Sequence, residues 1–157
     1  GTVTDAVTTN AVNAASISVT GTNLTTSSDL VGSYSTGYHT AGSYAVVVTA
    51  PGYLPFTATA VVLQTGLVTS LDVALDPLPS FTLPGTVVED GTATGIASAE
   101  VFFDDGVMQF STTTAADGSF STASIPEGTY DVYVGAWGWH TLCISGLVVS
   151  STTPAQT

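Results

Sequence analysis

The sequence predicts an all-β protein built as two tandem Greek-key β-sandwich domains, residues 1–78 and 79–157. Three observations predict it. An internal repeat recurs with a period of about 84 to 86 residues, longer than a solenoid repeat and suited to a small independent domain. Within each copy, short runs alternating apolar and polar residues are separated by Gly, Asp and Pro about every 8 to 12 residues, the pattern of a sandwich. No stretch has a convincing helical period, and the 45 Ser and Thr residues, with Val, suit strands and turns far better than helices.

The first copy opens with Gly1-Thr-Val-Thr-Asp5, matched in the second by Gly85-Thr-Val-Val-Glu89. Ala15-Ser-Ile-Ser-Val19 then matches Ala99-Glu-Val-Phe-Phe103. After a loop of slightly different length, Gly32-Ser-Tyr-Ser-Thr36 matches Gly118-Ser-Phe-Ser-Thr122. Ala41-Gly-Ser-Tyr-Ala-Val-Val-Val48 falls without a gap on Glu127-Gly-Thr-Tyr-Asp-Val-Tyr-Val134, Pro51-Gly-Tyr53 on Trp137-Gly-Trp139, and Val61-Val-Leu63 on Leu147-Val-Val149. Ser16-Ile-Ser-Val-Thr20 and Ser70-Leu-Asp-Val-Ala-Leu75 alternate cleanly, so their Ile, Val and Leu are expected to face the core and their Ser and Asp the water. Tyr44 and Tyr130 each follow a Gly-Ser or Gly-Thr pair at the start of a strand. That placement suits a corner tyrosine, with a buried ring and a hydroxyl bonded to loop backbone. Asp76-Pro-Leu-Pro-Ser80 is the linker, stiff because each Pro fixes φ.

With these motifs in place, the chain resembles the carboxypeptidase regulatory-like domain, twice over. The family's pattern is Gly-x-Val-x-Asp, an Ala-x-Val strand, Asp-x-x-Gly-x-Tyr/Phe, a Gly-x-Tyr-x-Val-x-Val strand and an aromatic Gly-Tyr turn, and the repeats follow it in order. The resemblance implies a seven-stranded, transthyretin-like sandwich and a non-catalytic accessory or surface module.

The two copies are incomplete in complementary ways. Ser80-Phe-Thr-Leu-Pro84 leads into the second copy, whereas the first begins at Gly1 without such a lead. The first copy ends in the strand Leu71-Asp-Val-Ala-Leu75, where the second has only Thr152-Thr-Pro-Ala-Gln-Thr157. A sandwich lacking its final strand exposes an apolar groove and an unpaired edge, so a neighbouring subunit is expected to complete the terminal strands. The opening Gly1, in place of Met, suggests a processed product or an excerpt.

Charge excludes whole classes of function. The chain has no Lys or Arg and twelve Asp and Glu, a formal net charge of −12, where average usage would give roughly 18 basic residues. No lysine is present to form a Schiff base or an isopeptide crosslink, and no trypsin-like cleavage site exists. Nucleic acid and anionic membranes are repelled. No apolar run approaches the ~18 residues that span a bilayer, so membrane insertion is not expected. Disorder is disfavoured by high hydropathy with few charges. The single Cys143 cannot form an intrachain disulfide, and its apolar neighbours suggest a small buried hydrophobe.

Candidate chemistry is sparse. His39 and His140 occupy non-equivalent positions, and no Gly-x-Ser-x-Gly elbow is present. Glu89, Asp90, Asp104, Asp105 and Asp117 lie in loops of the second copy. They offer hard oxygen ligands for Ca²⁺, although Asp beside Gly also serves turn geometry alone. Tyr133, Trp137 and Trp139 form an aromatic cluster suited to an interface or to stacking on a sugar, with Trp137 the freer ring. Asn23 heads the only N-glycosylation sequon.

The reading that follows is a non-enzymatic extracellular structural protein. It would be a glycosylated subunit of a surface fibre or stalk, self-associating head to tail by β-strand addition. Edge strands without lysine, the usual guard against edge pairing, point the same way. The alternative is a carbohydrate- or peptide-binding accessory module of a larger secreted enzyme or adhesin, acting through Trp137.

Overall fold

The computed structural model describes residues 1–156. The chain divides into two compact units, Gly1–Leu78 and Pro79–Thr157, and the described residues contain strands and turns but no helix.

The first unit contains β1 (Val3–Asp5), β2 (Ser16–Val19), β3 (Thr25–Ser27), β4 (Gly42–Thr49), β5 (Phe56–Leu63) and β6 (Val73–Leu75). Four of them form an antiparallel sheet in the order β3-β2-β4-β5. The other two form a parallel pair, Val3 opposite Val73 and Asp5 opposite Leu75. Alternation decides the faces: Ile17 and Val19 of β2, Val46 and Val48 of β4, and Val73 and Leu75 of β6 are buried in one cluster with Val3. The β1–β6 pair thus closes the sandwich over the sheet.

The second unit contains β7 (Ser80–Phe81), β8 (Pro84–Thr86), β9 (Glu100–Asp104), β10 (Gln109–Thr113), β11 (Ser119–Ser121), β12 (Ile125–Pro126), β13 (Gly128–Gly135) and β14 (Leu142–Val149). Its main sheet runs β10-β9-β13-β14, and β8 pairs with β11 and β7 with β12. Leu83 and Ile125 pack on Val101, Phe103, Tyr130, Val132 and Val149 to form its core.

Six strands in one unit and eight in the other differ from the seven expected: among the described residues the second unit has no strand matching β6 and adds β7, β11 and β12. The β8–β11 pairing shrinks in the first unit to a single bridge, Thr2 to Ser33. The β7–β12 pairing uses residues ahead of β8 whose counterparts would precede Gly1.

The corner tyrosines both form, each donating its hydroxyl to the carbonyl four residues upstream: Tyr44 to Thr40 and Tyr130 to Pro126. Tyr130 is buried and Tyr44 half-buried. Ser28 and Thr114, both buried, bridge their loops alike. The first accepts from Ala15 N–H and donates to Val12 O, and the second accepts from Ala99 N–H and donates to Ile96 O. Even the strained backbone recurs, with left-handed φ at Thr9 and Ala93 and again at Ala14 and Ser98.

Cys143 corrects the expectation of burial, since its side chain is exposed. Leu142-Cys-Ile144 reads as one apolar run, but in a strand only alternate residues face inward. Leu142 and Ile144 take those positions, leaving Cys143 outside opposite Tyr133.

Candidate functional site

The feature that stands out is an apolar groove of about 540 Å³ in the second unit. Its floor is the inward face of the main sheet: Val101 and Phe103 of β9, Val132 and Val134 of β13, and Leu142 and Ile144 of β14. Thr86, Val88 and Asp90 form one wall, and Trp139 and His140 line the rim.

The repeat explains the opening. In the first unit β6 lies in the equivalent place, and its Val73 and Leu75 are 2% and 0% exposed. Among the described residues of the second unit, only Gln156 pairs at that place. Gln156 forms a parallel bridge to Gly85, accepting from Thr86 N–H at 2.8 Å and donating to Pro84 O at 3.1 Å. Leu142 is consequently 56% exposed, whereas Phe56 at the matching position is packed against the first core. Ile144 is likewise left exposed.

Two polar clamps hold β6 in the first unit. Tyr34 donates its hydroxyl to Leu71 O at 2.6 Å. The Asp72 carboxylate accepts from both the Thr2 N–H, at 2.8 Å, and the Thr2 hydroxyl, at 2.9 Å. Those bonds, chiefly the hydroxyl's, hold the Asp72 carboxyl below the usual carboxylate range. Phe120 occupies the place of Tyr34 and has no hydroxyl to give.

The five carboxylates proposed for calcium do not converge. Among the described residues, no three His, Cys, Asp or Glu side chains form a group that could hold a metal ion. Their oxygens are engaged locally. Asp104 accepts from Gly106 N–H, and Asp105 from Val107 and Met108 N–H. Glu89 accepts from the Thr92 hydroxyl. Asp117 accepts from the Ser119 hydroxyl and N–H, which lower its pKa in that order. Asp90 lies at the groove instead.

The three aromatics also separate. Trp137 sits at a turn tip and is 100% exposed. Trp139 faces the groove. Tyr133 points from the opposite face of the sheet, where its ring meets Phe102 with centroids 6.4 Å apart. Below Tyr133 is a small acidic depression containing Asp104, Asp105 and Asp131, and Cys143 first, then Asp131, raise the tyrosine's pKa. Asn23 lies exposed in the turn between β2 and β3. His39 packs its ring against Tyr38.

One residue missed by sequence reasoning is Asp5, which is buried. It accepts from the N–H groups of Val7 and Thr8 and from the Tyr53 hydroxyl at 3.0 Å. The Thr8 and Val7 amides are the leading cause that holds its carboxyl below the usual range. The signal was present in the aspartate of the Gly-x-Val-x-Asp motif.

Fold and groove together define a β-sandwich module with one open edge. Residues 1–76 match the model of the carboxypeptidase regulatory-like domain, and the first unit is a domain of that family. No curated protein matches the sequence. Among solved structures, the chain is similar to a streptococcal ancillary pilin, at 13% identity and a TM-score of 0.47, covering 99% of this chain and 59% of that one. It is also similar to the Bacillus anthracis TIE protein, at 15% identity and a TM-score of 0.43, covering 99% and 32%. The chain therefore spans less than two thirds of either length. Among the described residues, no helix is long and apolar enough to cross a membrane.

Proposed function

We propose that the chain is a tandem pair of carboxypeptidase regulatory-like domains acting as a non-enzymatic structural module outside the cell. In this reading it is a subunit of a surface fibre or stalk, joined head to tail by β-strand addition, with Asn23 available as a glycan acceptor. The observation that carries it is the apolar groove of the second unit, with Leu142 and Ile144 exposed on its floor. The second unit has an open groove where the first unit has β6. Contacts between unlike ends are heterologous and propagate into open arrays. The absence of lysine leaves the long edges of β5 and β14 without the usual charged guard.

Negative-stain microscopy and sedimentation of the native material test the reading. Filaments, or a concentration-dependent ladder of head-to-tail oligomers, are expected. A monodisperse monomer at millimolar concentration overturns it. The full exposure of Trp137 favours a second reading, a glycan- or peptide-binding module. Binding on a glycan array, lost in Trp137→Ala without any filament, would select it.

A further inference from the structure

We propose that the Asp76–Pro77 peptide bond is a self-cleavage site, cut by the Asp76 carboxylate with water as co-reactant. This is independent of the structural role proposed above.

The sequence supplies the chemistry. Asp76–Pro77 is the only Asp-Pro step in the chain, whereas Asp90, Asp105 and Asp117 each precede Gly. The following residue decides which reaction an aspartate can undergo. Before Gly, the next amide nitrogen can attack the side-chain carboxyl and close a cyclic imide without breaking the chain. Pro77 has no N–H, which shuts that route. Attack in the opposite sense stays open, by a carboxylate oxygen on the residue's own main-chain carbonyl carbon. The closing ring has five members, so rotation about two side-chain bonds brings nucleophile and carbon together.

The fold then prepares the carbonyl. Asp76 and Pro77 are both exposed, so water reaches the bond. The Asp76 carbonyl oxygen accepts from Leu54 N–H at 2.8 Å. On the far side of the bond, Pro77 bridges to Tyr53, and Leu78 N–H donates to Gly52 O at 2.8 Å. The turn after β4 thus holds the bond on both sides and aims an amide at the oxygen on which charge develops. The titratable groups beside it are Asp5, paired with Leu75 in the ladder, and Tyr53. Those two are bonded to each other at 3.0 Å.

The steps balance. A bond forms between the carboxylate oxygen and the Asp76 carbonyl carbon, and the carbonyl electrons move onto the oxygen held by Leu54. On collapse the C–N bond breaks, and the Pro77 nitrogen leaves as a secondary amine, taking a proton from solvent. Water then opens the cyclic anhydride, regenerating the side-chain carboxylate and leaving a C-terminal carboxylate on Asp76. Acid favours the cut by protonating the leaving nitrogen. The products are residues 1–76 and 77–157, so one cut removes the covalent link between the units.

The test incubates the intact protein at about pH 4.5, with circular dichroism to verify the fold, and follows the products by mass spectrometry and N-terminal sequencing. A single new N-terminus at Pro77 is expected. It should form at least about tenfold faster than in the same protein unfolded in urea, where the Leu54 bond is gone. Asp76→Ala, Asp76→Glu (which needs a six-membered ring) and Pro77→Ala should all stay uncut. The proposal is overturned if the chain remains whole, if Asp76→Ala is cut at the same place, or if other aspartates are cleaved as readily. Equal rates in the folded and unfolded protein would also overturn it, since the fold would then contribute nothing at the bond.

Discussion

Asp5 shows how much a single turn aspartate does in a chain without basic side chains. Its carboxylate gathers two backbone N–H groups and the Tyr53 hydroxyl, tying the turn after β1 to the loop after β4. Because its pKa is lowered in the folded state, its stabilisation is complete above the unfolded value of about 3.9 and is lost as pH falls through the folded value. Asp72 and Asp117 shift in the same direction. Their contribution to the melting temperature should therefore hold steady from neutral pH to about 5 and be lost below 4, where protonation also relieves repulsion among the carboxylates. Asp5→Asn keeps one acceptor oxygen, so it should fold, melt lower at neutral pH and lose less on acidification. Thermal melts of both proteins from pH 2 to pH 7 decide the point, and parallel profiles would exclude this role for Asp5.

At the scale of elements, β5 and β14 are long edge strands, and each carries one bulge. The register slips between Tyr44 and Val46 in one unit and between Tyr130 and Val132 in the other. The left-handed residue of the bulge is Gly146 in the second unit, where Asp131 accepts its N–H, but Ala60 in the first, at φ 60°. A Cβ in that region costs about 1 kcal/mol. Ala60→Gly should accordingly stabilise the first unit by about 0.5 kcal/mol, after allowing for glycine's greater unfolded freedom. Denaturant unfolding measures it, and a destabilised variant would show that the bulge is not strained there. The core-facing set was legible wherever alternation was clean, as in β2 and β6. It was ambiguous in β14, where Leu142, Cys143 and Ile144 are all apolar and only the sheet assigns their faces. The groove was anticipated from the missing strand, but its lining was not, because a vacancy is a property of neighbours and not of any one segment. The calcium and aromatic groupings are not brought together among the described residues, for a related reason. Adjacent carboxylates in a turn spend their oxygens on their own backbone, and Tyr133 lies in β13 whereas Trp137 and Trp139 lie in the turn that follows it.

For the molecule as a whole, twelve carboxylates without a lysine or arginine make like-charge repulsion the dominant long-range term. Cohesion comes from apolar burial, backbone ladders and side-chain hydroxyls: no buried side-chain nitrogen or oxygen among the described residues lacks a hydrogen-bond partner. Added salt shortens the Debye length to about 8 Å at physiological ionic strength. Raising NaCl from 10 to 150 mM should therefore raise the melting temperature and promote self-association, opposite to a protein held by surface salt bridges. Calorimetry and sedimentation at the two concentrations read both effects, and a fall in melting temperature with salt would contradict the account.

The single oxygen that separates Tyr34 from Phe120 also has a mechanical meaning. In the first unit the terminal strand is pinned at its leading end by a hydrogen bond from a half-buried phenol, so load along the chain must break that bond as well as the ladder. The second unit, with Phe120 in that place, has no such pin. Under tension the first unit's terminal strand therefore resists peeling beyond what its ladder alone would allow.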